Sequence, residues 1–193
     1  MTALLHKAQS IGMKILNNVE VLDFVETDVG VSINSTLGGI KTNKILFATN
    51  GFSQYLLNES FKPARAQVLI TKPIKNLHVK GTFHLDKGYY YFRNIDNRIL
   101  FGGGRNLNFL EEETTEFNLS KLIQDKLDEL LTTVILPDTD FEIESRWCGT
   151  MGVGNQKKTI VKQLSNHVFC GVRLGRIGIA IGSLVGKELS DLV

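Results

Sequence analysis

Apolar and polar residues alternate along most of this chain, and three stretches replace the alternation with helical spacing. Thr2 to Ser10 puts Leu4, Leu5 and Ala8 on one face and is closed by Gly12. Between Asn118 and Thr133 the positions Leu119, Leu122, Ile123, Leu127, Leu130 and Leu131 fall on one side of a helix. Pro137 stops the chain soon after, so an amphipathic surface helix is predicted. The third stretch is the tail, where Gly171-Val-Arg-Leu-Gly175-Arg-Ile-Gly178 reads as strand and glycine-rich turn and the residues to Leu192 read as helix. Strands are predicted at Val19 to Glu26, Gly30 to Ser35 and Lys44 to Thr49, the last reached through a Leu37-Gly-Gly39 turn, making a three-stranded meander. Phe61 to Thr71, Gly88 to Ile95 and Arg98 to Gly104 follow, with Asp96-Asn97 as a hairpin turn. Phe141 to Cys148, Thr159 to Leu164 and His167 to Val172 complete the strands.

The tail carries the most chemistry. Gly178, Gly182 and Gly186 recur every four residues and form one bare stripe on a helix. Each helical glycine costs roughly 1 kcal/mol relative to alanine, so the stripe serves either tight packing on a sheet or the close approach of a ligand. The start of the helix also presents unpaired N–H groups and partial positive charge, which suit an anion or an electron-rich carbonyl.

Composition narrows the partners. With 193 residues, 42% hydrophobic and 22% charged, the chain has the balance of a globular protein of one domain or two small ones. A net charge of +2 with scattered Lys and Arg gives no case for nucleic acid. Cys148 and Cys170 lack a CxxC spacing and the four histidines are isolated, so neither a metal site nor a disulfide framework is implied. The first residues lack a signal-peptide pattern, and Ile177 to Gly186 is too short to span a bilayer. No membrane partner and a cytoplasmic location are expected.

Five blocks in order resemble the C-terminal half of the FAD-dependent oxidoreductases of the D-amino-acid oxidase, glycine oxidase and sarcosine oxidase superfamily. Asn18-Val-Glu-Val21 with Ile45-Leu-Phe-Ala-Thr-Asn-Gly51 is similar to the meander over the cofactor, where a valine backbone meets the adenine and a glycine ends the strand. Phe61-Lys-Pro-Ala-Arg-Ala-Gln67 resembles the crossover into the substrate domain. Tyr89-Tyr-Tyr-Phe-Arg93 with Arg98-Ile-Leu-Phe-Gly-Gly-Gly-Arg105 resembles the hairpin roofing the flavin. Trp147-Cys-Gly-Thr-Met-Gly152 and the terminal glycines match the last two blocks. The family's opening strand, G-x-G-x-x-G turn and helix, which hold the pyrophosphate, have no counterpart in this sequence. Met1 therefore reads as a start within the family's chain, as in a shortened chain, a broken reading frame or one half of a split protein. Weak or absent FAD binding by these residues alone is expected.

The resemblance implies hydride removal from a carbon bearing an amine or hydroxyl, delivered to flavin N5. It assigns cofactor contacts to Val21, Gly51, Gly175, Arg176, Ile177, Gly178, Ile179 and Ala180, with the N–H groups of Ile177 to Ala180 directed at the flavin C2 carbonyl. Arg173 and Arg176 share one turn and read either as charge support for the flavin and capture of a substrate carboxylate, or as exposed loop arginines. Amino-acid-oxidising relatives place a carboxylate-clamping arginine where this chain has Met151, which cannot form that pair, so a simple amino acid needs Arg93, Arg105 or Arg146 as the clamp. Tyr89 and Tyr91 alternate with Tyr90 across the strand and are either half-buried strand aromatics or substrate contacts. Cys148 is read as a plain buried thiol, Trp147 as core, and Glu111-Glu-Glu113 as a solvated lead into a helix. No catalytic residue or metal ligand is assigned.

The fold class expected is α+β or mixed α/β: an antiparallel-rich substrate domain over residues 61–144, and the closing strands and last helix of an incomplete FAD-binding domain over residues 1–60 and 145–193. The parent is expected to oxidise an amine or amino-acid-like substrate with FAD. The alternatives are a non-enzymatic remnant or interaction module, or one half of a split enzyme. Apolar faces left uncovered predict self-association or pairing with an N-terminal half.

Overall fold

The alternation of the sequence becomes three sheets and three helices in a computed structural model that describes residues 2–193. Along the chain run α1 (Thr2–Ser10), β1 (Val21–Thr27), β2 (Gly30–Ser35), β3 (Gly38–Thr42), β4 (Ile45–Phe47), β5 (Lys62–Thr71), β6 (Thr82–Leu85), β7 (Tyr90–Ile95) and β8 (Arg98–Gly103). They are followed by α2 (Lys121–Leu130), β9 (Ile143–Val153), β10 (Ile160–Gln163), β11 (Val168–Val172) and α3 (Gly178–Ser190). The fold is mixed α/β with antiparallel-rich sheets, as the pattern implied.

The largest sheet has the order β6-β7-β8-β5-β9 and is antiparallel throughout. Its side chains Leu69, Tyr90, Phe92, Ile99 and Phe101 are buried against Ile123, Leu127 and Leu131 of α2 and the π turn that extends it. Each such apolar side chain contributes about 1.5–3 kcal/mol on leaving water, which holds an otherwise short helix to the sheet. Leu119 and Leu122 stay on the exposed side.

On the same covered face lies a buried polar group that corrects one expectation. Glu112 is fully buried, not a solvated lead into the helix, and accepts hydrogen bonds from Arg65 Nε at 3.2 and 3.1 Å and from Gln67 Nε2 at 3.0 Å. A carboxylate can be buried there because Arg65 and Gln67, on adjacent same-side positions of β5, supply the opposite charge and the donors.

The small sheet holds a second correction. The third strand of the meander is Gly38–Thr42, paired antiparallel with β2, whereas Ile45–Phe47 leaves it to lie parallel to β11 in the order β10-β11-β4. The turn is Thr36-Leu37, braced by the Ser35 hydroxyl donating to Gly38 O at 2.7 Å, and Gly38 enters the strand at φ 113°. The two glycines therefore belong to a strand, not to the turn. Val31, Phe47, Leu57, Phe61, Val168, Cys170 and Val172 form the core between these two sheets. β6 was not anticipated; it adds an edge strand whose Phe83 stacks on Phe92 with centroids 4.8 Å apart.

Helix α3 rests on β11 through Val185 and Leu189, and both come so close to Gly171 that a Cβ there would lie 3.2 Å from each. No helix among the described residues is long and apolar enough to cross a membrane, and no cluster of His, Cys, Asp and Glu among them is arranged to hold a metal ion.

Candidate functional site

Residues directly opposite one another in an antiparallel sheet share a face. Asp96 and Asn97 both have positive φ, 48° and 57°, the conformation of a two-residue hairpin turn, and they set Ile95 opposite Arg98 and hence Tyr91 opposite Gly102. Gly102 faces Val68, and Val68 faces Trp147, so Tyr91, Gly102, Val68 and Trp147 make a row across the side away from α2. Ala66 with Gly149 and Ala64 with Met151 make the next rows. Trp147 is 43% exposed, which corrects its assignment to the core: it stands on the uncovered face. A Cβ on Gly149 would meet nothing within 4 Å, while one on Gly102 would lie 2.9 Å from the Tyr91 hydroxyl and 2.4 Å from Val68. The result is a flat floor of small residues between two aromatic side chains.

At one end of this floor several distant segments converge. The 3-10 segment Asn50–Tyr55 lies against β9 so closely that a Cβ on Gly51 would stand 2.6 Å from the Met151 carbonyl oxygen. The Asn50 side-chain oxygen accepts the Leu174 N–H at 3.0 Å, and the Gly175 N–H donates to Gly152 O at 3.0 Å. Gly51, Met151 and Gly175 thus meet in one junction. Arg173, at φ 60°, braces it by donating to the carbonyls of Lys158 at 2.7 Å and Ser60 at 3.1 Å. Arg176 reaches the other way and donates to Gly88 O at 2.7 Å, tying the turn before α3 to the segment leading into β7. Val21 lies apart, half-buried at the head of β1, and Arg93 is exposed opposite Leu100.

The start of α3 is bare. Ile177 and Ile179 are 54% and 91% exposed, and among the described residues the N–H groups of Gly178 and Ile179 have no backbone acceptor. A Cβ at Gly182 or Gly186 would meet nothing within 4 Å, and one at Gly178 would only touch Leu174. Ala180 is also exposed, so the glycine stripe is not filled by the chain's own side chains.

Burial raises the pKa of the Tyr91 phenol, and the charge of Arg176 works against that rise. Cys148 is half-buried, not fully buried as expected, and burial is the main cause that holds its thiol above the ordinary range. Of the candidate arginines, Arg146 is engaged by Asp128 at 2.7 and 2.9 Å and by Gln124 at 2.7 Å. Arg105, which follows the glycine run of β8, has its guanidinium over the Phe109 ring at 4.8 Å and a buried Nε with no hydrogen-bond partner. Burial and then the charge of Arg176 lower its pKa. Sequence patterning singled out neither the Tyr91–Trp147 row nor this difference among the arginines, although the hairpin turn contained the register of half the row.

The fold has known counterparts. L-proline dehydrogenase from P. horikoshii superposes with a TM-score of 0.80 at 19% identity, over 98% of this chain and 53% of that one. Iminodiacetate oxidase from Chelativorans sp. BNC1 gives 0.79 at 17% identity, over 99% and 53%. Glycine oxidase from Geobacillus kaustophilus gives 0.78 at 18% identity, over 99% and 52%. The chain therefore spans about half the length of these structures, and at such identities they speak to the fold alone. No curated sequence matches significantly. The DAO group of FAD dependent oxidoreductases, however, matches residues 1–192 as a sequence family. With fold and family pattern in agreement over nearly every residue, this chain belongs to the FAD dependent oxidoreductase family.

Proposed function

We propose that these residues supply the flavin-facing and substrate-facing surfaces of an enzyme that oxidises an amine or amino-acid-like substrate. The observation that carries this reading is the bare, donor-rich start of α3 set beside an uncovered aromatic floor. On this reading residues 1–60 and 145–193 are the cofactor side and residues 61–144 the substrate side. Bound FAD would supply the hydride acceptor. Free N–H groups at Gly178 and Ile179 fit the electron-rich carbonyl edge of such a ring, and the open glycines fit the close approach of a flat ring or another backbone. Gly175 and Arg176 position that helix start, and Gly51 closes the junction beneath it. Val21 is assigned to the adenine end by the family resemblance.

Tyr89, Tyr91, Arg93, Met151 and Arg173 border the substrate space in this reading. The Tyr91 phenol carries its proton at neutral pH, as a tyrosine ordinarily does, and can donate a hydrogen bond across the floor. Arg173 acts by bracing, since carbonyl groups already occupy its guanidinium. The neighbours named for proline, glycine and iminodiacetate support a nitrogen-bearing small substrate. The nucleotide-binding G-x-G-x-x-G turn is provided by a further segment, on the same or another polypeptide, that covers the exposed face of α3; without it, FAD binds weakly and the chain self-associates. The test is to purify the complete gene product and record its visible spectrum and FAD content. Flavin absorbance is expected, and colourless, FAD-free protein would refute the proposal.

A further inference from the structure

We infer that the free edge of β9 pairs with β9 of a second copy of this chain, antiparallel and centred on Cys148, so that two five-stranded sheets become one. This goes beyond the proposed enzymatic reading and needs no flavin.

An edge strand presents a row of unpaired backbone groups, and proteins blunt such edges with short strands, lysine, proline or bulges. The other free edges of this fold are blunted in that way. Strands β6 and β10 have four residues each and β4 has three, β3 carries Lys41, and β1 has a bulge between Val21 and Asp23. Strand β9 ends the largest sheet, runs for 11 residues and contains neither lysine nor proline. Its charged side chains are drawn to their own chain, Glu144 by Arg98 and Arg146 by Asp128.

The ladder with β5 shows which backbone groups are free. Arg65 N–H donates to Glu112 O at 2.8 Å and so points away from β9, which means that Thr150, opposite Arg65, turns its own N–H and C=O away from β5. By alternation Cys148 and Arg146 do the same. Among the described residues none of these groups has a hydrogen-bond partner. The edge is closed on either side of them. Gly152 O accepts the Gly175 N–H, and the register shift between Ile70 and Thr71 leaves Glu144 without an opposite residue. A twofold axis through Cys148 puts Cys148 opposite the partner's Cys148 and Arg146 opposite the partner's Thr150, so all six free groups of each copy are paired. An axis through Trp147 or Gly149 would pair only four. In the Cys148 register, Trp147 also lies opposite the partner's Gly149, where a Cβ would meet nothing within 4 Å, and the 43% exposed indole covers that open glycine.

Sedimentation velocity of the 193-residue chain over a concentration series should show a monomer–dimer equilibrium. Amide hydrogen exchange resolved by NMR should slow at Arg146, Cys148 and Thr150 as concentration rises, while Trp147 and Gly149, already bonded to β5, stay unchanged. A short bismaleimide should link the dimer through Cys148, because the paired Cα atoms lie about 5.5 Å apart and Cys170 is fully buried. Cys148→Ser should remain dimeric and resist the cross-link. Cys148→Pro removes an outward N–H and leaves the β5 ladder its donors, since proline is tolerated on an edge, and it should weaken dimerisation at least about tenfold. The exchange and cross-linking measurements use the parent chain and decide the matter whether or not Cys148→Pro folds. A monomer at every concentration, a dimer whose Arg146, Cys148 and Thr150 amides exchange at the monomer rate, or a Cys148→Pro dimer as tight as the parent overturns the inference. Flavin content of the complete gene product is a separate readout, and its absence would leave the dimer standing.

Discussion

Replacing Gly182 and Gly186 with alanine should make this protein more stable and less able to hold flavin. Neither residue has positive φ, and a Cβ at either meets nothing within 4 Å, so no steric penalty opposes the change. What remains is helix propensity, about 1 kcal/mol per glycine replaced, or about 2 kcal/mol for the pair. In a chain of this size each kcal/mol moves Tm by about 2–4 °C, so the double variant should melt about 4–8 °C higher. Gly171 is the internal contrast, since a methyl group there would press on Val185 and Leu189 at 3.2 Å and should not stabilise. Circular dichroism melting of the 193-residue chain gives the first quantity, and the FAD content of the complete gene product carrying the same substitutions gives the second. Opposite signs are the signature of a surface kept bare for something else to approach. A Tm that stays level or falls would show that α3 is already covered. A raised Tm with full flavin retention would show that the stripe is not a contact surface.

Other outcomes test the framework. Glu112→Ala strands Arg65 in the core and should cost about 3–5 kcal/mol in urea unfolding, while Glu113→Ala, which removes only the partly exposed partner of Lys62, should cost about 0–1 kcal/mol; equal effects would refute the buried network. Gly51→Ala places a methyl group 2.6 Å from the Met151 carbonyl oxygen and should destabilise by about 1–3 kcal/mol, and a neutral result would mean that the junction is looser than described. In an ultraviolet titration corrected with Tyr91→Phe, the Tyr91 phenol should ionise above the ordinary tyrosine range because burial disfavours its charged form. Arg176→Met should push it higher still by removing the opposing charge, and a downward move would contradict the placement of Arg176.

Much of this protein could be read along the chain because the information is local. Alternation located most strands, the spacing of Ile123, Leu127 and Leu131 located the helix, and Asp96-Asn97 set a register that already put Tyr91 opposite Gly102. The ordered motif blocks were enough to indicate the family. Tertiary structure decided whatever depends on a partner far away in sequence. Ile45–Phe47 joined β11 and not the meander because a parallel pairing leaves no mark in the alternation of the strand itself. Glu112 went inside because Arg65, 47 positions away, arrived with a matching charge, and Trp147 stayed outside because α2 covers the other face of its sheet. Arg105 and Arg146 are the same side chain, yet one stands over a phenylalanine with no ion-pair partner among the described residues and the other is held by Asp128. Backbone preferences and hydrophobic periodicity act over a few residues and are written in order, whereas burial and charge compensation are properties of neighbours in space that only the assembled fold brings together.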